Sequence, residues 1–456
     1  MNLEEKFIFS SSAKRKLFIT LGVGILLLAI GTFWLATGDT HGGHGEHAAV
    51  AEHGVAVVAH GEHATTAIAE HGAASHEAHA EAAHHGLPAW ALRIVKDLWL
   101  NNIFFAGISL IGVFFIAFNY VAWAGWSAGI KRIPEAFGSY LPIAGVLTIL
   151  LLIFFNHDLF HWTHEDLYDK TSAHYDALLD GKKAYLNFPF FLIRTVVYFS
   201  VWFMFWKILR NFSIQEDLTG DVKWHNKSIA WSAGFLVFFG ASESMAAWDW
   251  LMSTDPHFFS TMYGWYVFAS WFVSGLALIT LIVVTLKDNG YLSFINENHL
   301  HDLGKFVFAF SVFWTYIWFE QFLLIYYANI PEEVGYFVQR LKTDAYTPIF
   351  FITLIINFAF PFLSLMTRNA KRQGLILKVV CIGIICGHWL DFYMMITPPI
   401  LGQDGGLDVK FLFVELGMTM IFASVFLFTI LTALSKVGLV AKNHPMLRES
   451  EHHSVF

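Results

Sequence analysis

Seven ionisable side chains lie within or at the edges of long apolar segments, and they are the best-placed residues for chemistry in this sequence. They are Arg194, Glu243, Asp249, Glu320, His388, Asp391 and Glu415. An unpaired charge near the centre of a membrane helix costs roughly 2.5 to 3.5 kcal/mol on translocon scales, so such groups face protein, water or one another. Carboxylates and imidazoles in this setting carry protons or bind the polar head group of a lipid-soluble ligand.

The spacing of these residues gives two functional hypotheses. His388 and Asp391 are three residues apart and share one helix face. A proton path is predicted to use Glu243, Asp249, Glu320, His388 and Asp391. A quinone site is predicted at Arg194, Ser242 and Asp249. The structural alternative is that Arg194 pairs with a carboxylate and that the other residues only join helices.

The number of available ligands limits which redox cofactors this chain could bind. A b-type haem held between helices needs two histidines within spans, and His388 alone qualifies. Cys381 and Cys386 are too few for an iron–sulfur cluster. We therefore expect no catalytic residue, no metal site and no redox cofactor in this chain, with quinone as the one ligand considered.

Two histidine-rich segments were also considered as metal sites. The insert from Gly38 to Leu87 holds eleven of the 23 histidines, between His41 and His85. It is interpreted as a solvated tether rather than a metal-collecting or pH-sensing loop, because the spacing of its histidines changes along the insert. The loop from His157 to Asp166 could bind a metal if helical, but we expect an amphipathic outer helix with solvated polar groups.

The composition indicates the elements that position these residues. Only 14% of the 456 residues are charged, whereas 56% are hydrophobic and 17% aromatic, which is typical of a polytopic membrane protein. The basic residues are scattered and the net charge is −8, so no nucleic-acid partner is expected. Ten segments reach the roughly 20 apolar residues of a membrane span. They cover about 17–37, 103–124, 139–156, 188–209, 228–250, 261–286, 304–327, 346–367, 375–397 and 411–434.

Most of the 28 lysines and arginines fall on one side when the N-terminus is placed inside. Because cytoplasmic loops retain positive charge, both termini are predicted to be cytoplasmic. The first segment, 17–37, is longer than the 7 to 15 apolar residues of a usual signal peptide. It is interpreted as a retained helix.

A short pattern occurs twice along the chain. Asp249 is followed by Met252 and Pro256 at the same offsets at which Met394 and Pro398 follow Asp391. The repeat predicts an all-α fold with two parallel four-helix bundles, spans 2–5 and 6–9, and two flanking helices. The predicted divisions are 1–37 for the N-terminus and first helix, 38–102 for the insert and lead-in, 103–250 and 251–397 for the bundles, and 398–456 for the last helix and tail.

Two long strings resemble a known family. They are A-A-W-D-W-L-M-S-T-D-P-H-F-F-S-T-M-Y-G, Ala246–Gly264, and F-W-T-Y-I-W-F-E-Q-F-L-L-I-Y-Y-A-N-I-P-E-E, Phe313–Glu333. Both resemble the F-subunit branch of the NrfD-like membrane family in bacterial alternative complex III, a quinol:cytochrome c oxidoreductase. The family pattern has a small hydroxyl residue where this chain has Glu320, so a role for Glu320 would be specific to this branch.

The resemblance implies an accessory, noncatalytic subunit in the bacterial inner membrane that supports quinol oxidation and, through its buried carboxylates, proton translocation. Implied partners are a sister NrfD-like subunit, multihaem cytochrome c and iron–sulfur subunits carrying haem c and the clusters, lipids and a terminal oxidase. The alternatives are a quinone-binding subunit with its site near the outer leaflet, a scaffold, and a proton-coupled secondary transporter. A transporter of this kind would have broken helices at the midplane of both halves, and Pro361 is the main interruption in the sequence.

Overall fold

The computed structural model describes residues 5–38, 86–407 and 409–454, so the predicted histidine-rich tether lies almost entirely outside the described residues. Ten of the helices formed there are long and apolar enough to cross a membrane. They are α1 (Ser11–Gly38), α2 (Ala89–Val121), α3 (Leu141–Leu159), α4 (Phe188–Thr219), α5 (Val222–Trp250), α6 (Met262–Asp288), α7 (Glu297–Ala328), α8 (Thr347–Ser364), α9 (Gly374–Leu401) and α10 (Val409–Ser435). The protein is an all-α polytopic membrane protein, as predicted.

The helices pack as two groups of four with a further pair outside them. α2 to α5 contact one another in a ring, as do α6 to α9, and the rings meet where α2 and α5 contact α6. α10 packs on α2, and α1 packs on α10. This grouping agrees with the predicted bundles, while their relation as parallel repeats stays a prediction.

Small residues set the distance between α1 and α10. A Cβ atom on Gly417 would lie 2.7 Å from the backbone nitrogen of Leu28 and 2.8 Å from the carbonyl oxygen of Gly24. Membrane helices approach this closely where small residues such as glycine let the two backbones meet. The first helix is thus held by a backbone contact that its apolar composition does not reveal.

A tight turn between α4 and α5 places the ends of these helices side by side. Gly220 ends α4 with a φ of 66°, a left-handed conformation that glycine adopts without a Cβ clash. Asp221 then begins α5, because its carboxylate accepts the backbone N–H of Lys223. The last turn of α4 therefore faces the first turn of α5.

Two elements differ from the sequence predictions. α2 begins at Ala89, well before residue 103, because charged residues in its first turns lower the hydropathy there while pairing inside the protein. The expected amphipathic helix from His157 to Asp166 was wrong. α3 ends at Leu159, and two short 3₁₀ turns follow, His161–Thr163 and Glu165–Tyr168.

Two prolines inside α9 create a specific need for hydrogen-bond donors. Pro398 and Pro399 lack the N–H groups that would bond to the carbonyl oxygens of Met394 and Met395 four residues earlier. Arg340, at the end of the short helix Pro331–Leu341, donates to both carbonyls, at 2.8 Å and 3.4 Å. The guanidinium thus replaces the missing backbone donors.

The tail after α10 runs across the end of the bundle where both termini lie, which we call the termini face. The backbone N–H of Leu439 bonds to the Glu5 carbonyl at 2.8 Å, and the Ser450 hydroxyl donates to the Trp126 carbonyl at 2.9 Å. Further on, Asn296 in front of α7 donates to the His453 carbonyl at 2.9 Å. The tail therefore contacts both four-helix groups and the N-terminal segment.

Candidate functional site

In the first bundle, the predicted quinone residues all bind protein partners. Arg194 donates from Nε and Nη2 to the two carboxylate oxygens of Asp249, at 2.8 Å each, and both side chains are buried. The Tyr198 hydroxyl donates to the same carboxylate at 3.2 Å. Ser242 accepts the indole N–H of Trp202 at 2.9 Å. This is the arrangement expected if Arg194 neutralises a carboxylate and joins two helices.

In the second bundle, Asp391 occupies a different environment. Its carboxylate accepts hydrogen bonds from the hydroxyls of Tyr266 and Ser270 and from the indole of Trp314, the last two at 2.7 Å and 2.9 Å. These donors carry no charge. The Ser270 hydroxyl also contacts His388 Nδ1 at 2.9 Å, so one hydroxyl links the imidazole and the carboxylate that the spacing predicted to share a face.

A small cavity, with about 20 Å³ of water-accessible space, lies beside Asp391. Its lining includes Tyr266, Gln321, Tyr336, Arg340, Thr353 and Asp391. Three buried polar atoms in and near it, Gln321 Oε1, Thr353 Oγ1 and His388 Nε2, have no hydrogen-bond partner among the described residues. Buried polar atoms are rarely left in this state, so the region is suited to hold water or a polar ligand group.

The wall of α8 next to this region is irregular. Residues Ile355–Ala359 form a π-helical turn ahead of Pro361, the predicted interruption. π turns inside α-helices are frequent at functional sites. Within this turn Asn357 is fully buried, and a Cβ atom on Gly387 would lie 2.1 Å from its side-chain oxygen. The corresponding helix of the first bundle, α4, is continuous, so the paired interruptions expected of a transporter are present in one half only.

The remaining candidates are separated from Asp391. Glu243 is buried and accepts the Ser244 hydroxyl at 3.3 Å, while its Oε1 has no partner among the described residues. Glu320 bonds with Tyr316, whose side chain is 59% exposed, so this pair lies on the outside of α7. Its neighbour in sequence, Gln321, lines the cavity instead. The five predicted proton-path residues therefore occupy separate environments, apart from His388 and Asp391.

Sequence reasoning missed a buried network between α2 and α10. Arg93 Nη2 lies 2.7 Å from Glu415 Oε1, and Lys96 Nζ lies 2.5 Å from Asp97 Oδ1 and 3.4 Å from the same glutamate oxygen. Arg93, Lys96 and Asp97 lie within about one turn of α2. Charges of opposite sign close together on one helix were therefore the only local sign that these residues pair inside the protein. Glu415 thus pairs inside the protein.

A second missed group is formed by Glu216, His225 and His444, all buried. They come from α4, α5 and the tail, so no local spacing could have indicated them. Lys131 Nζ lies 3.3 Å from Glu216 Oε2 and 2.6 Å from the Tyr120 hydroxyl. This group lies at the termini face, at the other end of the bundle from Asp391.

Comparison with known proteins gives no further assignment: no family model matches the chain, and no curated protein matches it significantly.

Proposed function

We propose that this protein is a membrane subunit of a quinol:cytochrome c oxidoreductase of the alternative complex III type, in the bacterial inner membrane with cytoplasmic termini. The strings Ala246–Gly264 and Phe313–Glu333 and the ten-helix arrangement support this assignment. In the complex, haem c and iron–sulfur clusters belong to partner subunits, alongside a sister NrfD-like subunit. This chain contributes no redox centre.

Its proposed role is proton transfer through the buried cluster around Asp391. The observation that carries this role is the contrast between two buried aspartates. Asp249 bonds to a guanidinium, which neutralises its charge, so protonating it would break an ion pair. Asp391 bonds to hydroxyl and indole donors, so it can exchange a proton with a neighbour without breaking an ion pair. His388 and Ser270 extend the exchange by one step.

The position of the cluster suits release of protons on the outer side. Asp391 lies in the half of α9 that is remote from the termini face. With cytoplasmic termini, that half belongs to the outer leaflet, where quinol oxidation would deliver protons. The cavity lined by Gln321 and Thr353 gives the protons a polar route past the aromatic residues.

The proposal is tested in two stages. Tagged protein is first isolated from its host, and multihaem and iron–sulfur subunits must copurify. The complex is then placed in liposomes, and protons released per electron are measured for the parent and for D391N. We expect D391N to lower this ratio while the complex still assembles. D288N is the matched control, because Asp288 is largely exposed at the end of α6; an unchanged ratio in D391N would refute the proton role.

A second candidate role is binding of a quinol head group in the same cavity. The lining combines the aromatic rings of Tyr266, Tyr336 and Phe350 with a few polar groups, which is the usual composition of small-molecule sites. The substitution Thr353→Leu fills part of this space and keeps the Asp391 carboxylate and its three hydrogen-bond donors. A raised KM for quinol would support this role, and an unchanged KM would exclude it.

A further inference from the structure

A buried group at the termini face has the donor atoms of a metal site. Glu216 lies in the last turn of α4, His225 in the first turns of α5 and His444 in the tail. They are 1%, 4% and 8% exposed. One oxygen or nitrogen atom from each lies within 4.8 Å of the others. The turn at Gly220 places the first two side by side, and Asn443 holds the third by donating to the Asp217 carbonyl at 2.9 Å.

Two of these atoms face each other. Glu216 Oε1 and His225 Nδ1 are 3.3 Å apart, within ion-pair distance, and neither forms a well-aligned hydrogen bond with the described residues. The other carboxylate oxygen of Glu216 is occupied by Lys131. A cation bound between Glu216 and His225 would give both atoms a well-aligned partner, so it would stabilise this end of the protein.

Space for such a ligand is present. A small cavity, with about 20 Å³ of water-accessible space, is lined by Tyr120, Lys131, His225 and His444 among others. The contact from the Met446 amide to His444 Nδ1 is long, at 3.3 Å, and a metal bound through either ring nitrogen would replace it.

We propose that Glu216, His225 and His444 bind a zinc ion, with a water molecule as the fourth ligand. One carboxylate and two imidazoles are a common zinc donor set, with three protein ligands and one open position. At zinc–ligand distances of about 2.0 to 2.1 Å, tetrahedral ligand atoms lie roughly 3.3 Å apart, so the three side chains need to close by only a modest distance. The cavity leaves room for the water.

The ion would fasten the tail to the α4–α5 turn. Lys131 opposes it, because its ammonium shares the Glu216 carboxylate and repels a dication. Replacing this lysine with methionine should therefore tighten zinc binding by ~10-fold, the size of effect common for groups next to a metal ligand. If the three residues only hold the tail in place and bind no metal, this substitution would not raise the affinity for zinc.

The test uses the full chain in detergent, stripped of metal and carrying no histidine tag. Cobalt(II) and zinc(II) are titrated into the parent, E216Q, H225A and H444A, with H452A as control because His452 is exposed on the same tail. We expect each cluster variant to bind one equivalent fewer than the parent and to lose the visible absorption of tetrahedral cobalt, and H452A to match the parent. Metal bound by the histidine-rich insert contributes equally to every sample, so it does not affect the difference between parent and variants. Equal stoichiometry and spectra in parent and cluster variants would refute the site.

A second measurement uses the parent protein alone, so it does not depend on the folding of any variant. Hydrogen exchange of the tail from Ala441 to Glu451 is followed in the parent with and without zinc. Separately, zinc affinity is compared between the parent and K131M. Slower exchange on adding zinc and tighter binding in K131M are expected. Unchanged exchange would overturn the proposal, whatever the cluster variants show.

Discussion

Arg194 donates two hydrogen bonds of 2.8 Å to Asp249, whereas Thr353 lines the cavity beside Asp391 and gives it no hydrogen bond. Both residues lie five positions after a proline at the start of a helix, Pro189 and Pro348. In the first bundle a large basic side chain neutralises the aspartate. In the second bundle a small side chain lies next to a cavity, and the aspartate is bound by uncharged donors. The two buried aspartates thus differ in the charge of the groups that bind them.

Removing one partner of the Arg194–Asp249 pair should destabilise the protein. D249N leaves a buried guanidinium without its counterion, which typically costs 3–5 kcal/mol. We expect a lower melting temperature in detergent for D249N, and a smaller loss for R194M/D249L, in which neither charge remains. D288N serves as the surface control; equal melting temperatures for D249N and the parent would contradict a stabilising ion pair.

The role of Arg340 can be isolated by a double-mutant cycle. R340M removes donors from the Met394 and Met395 carbonyls and should cost about 2 kcal/mol, the scale of a charged hydrogen bond. In the P398A/P399A background the backbone can supply its own donors, so the same substitution should cost less. Thermal unfolding of the four proteins measures the coupling. K342M, at an exposed site beyond the same helix, is the control, and additive effects would rule out this explanation.

Gly417 should control the docking of α1. G417V places methyl groups against the Leu28 backbone and should displace the first helix, whereas G22V meets nothing within 4 Å and should be tolerated. Disulfide formation between W34C and F413C, whose parent rings are 6.2 Å apart, reports the docking once Cys381 and Cys386 are replaced. We expect cross-linking to fall in G417V alone. Similar yields in both glycine variants would show that the close backbone approach is unimportant.

The loop helix Ala177–Lys182 should loosen at acid pH. Burial by itself raises the pKa of Asp176, but hydrogen bonds from His257 and from the backbone amides of Leu179 and Leu178 outweigh it, so the pKa lies below its ordinary value of 3.8. The stabilisation is therefore fully present above pH 3.8 and is lost as the pH falls through the lower folded value.

This acid effect is measured by hydrogen exchange at Leu178 and Leu179, corrected for intrinsic rates. D176N should lack the pH dependence and keep most of the protection at neutral pH, because an asparagine side-chain oxygen can still accept the amides of Leu178 and Leu179. D166N, at an exposed loop position, is the control. Retention of the acid transition in D176N would assign it to another group.

The ten spans and the pairing of His388 with Asp391 could be predicted because both depend on local sequence. An apolar run of about 20 residues defines a span wherever it occurs. Two residues three positions apart on one helix meet whatever the remainder of the fold does. The outer boundary of α2 could not be found in this way, because Lys96 and Asp97 look solvated until Glu415 is placed beside them.

Other features depend on how distant helices are rotated and packed. Glu320 was predicted to belong to the proton path, but it lies on the outer face of α7 beside Tyr316. Because α7 is apolar around most of its circumference, its sequence does not indicate which face turns outward. The partner of Arg93 lies 322 residues away, and His444 meets His225 only after the tail has folded back. Such contacts are set by tertiary packing and leave no periodic signal.

The tail contacts imply an order of events during synthesis. Residues 439–453 are translated after α10, yet they contact the N-terminal segment through Glu5 and the second bundle through Asn296. The termini face therefore cannot close before these residues have left the ribosome, which is later than the synthesis of α10. A chain truncated between α10 and residue 439 would keep its ten membrane helices but leave the termini face open.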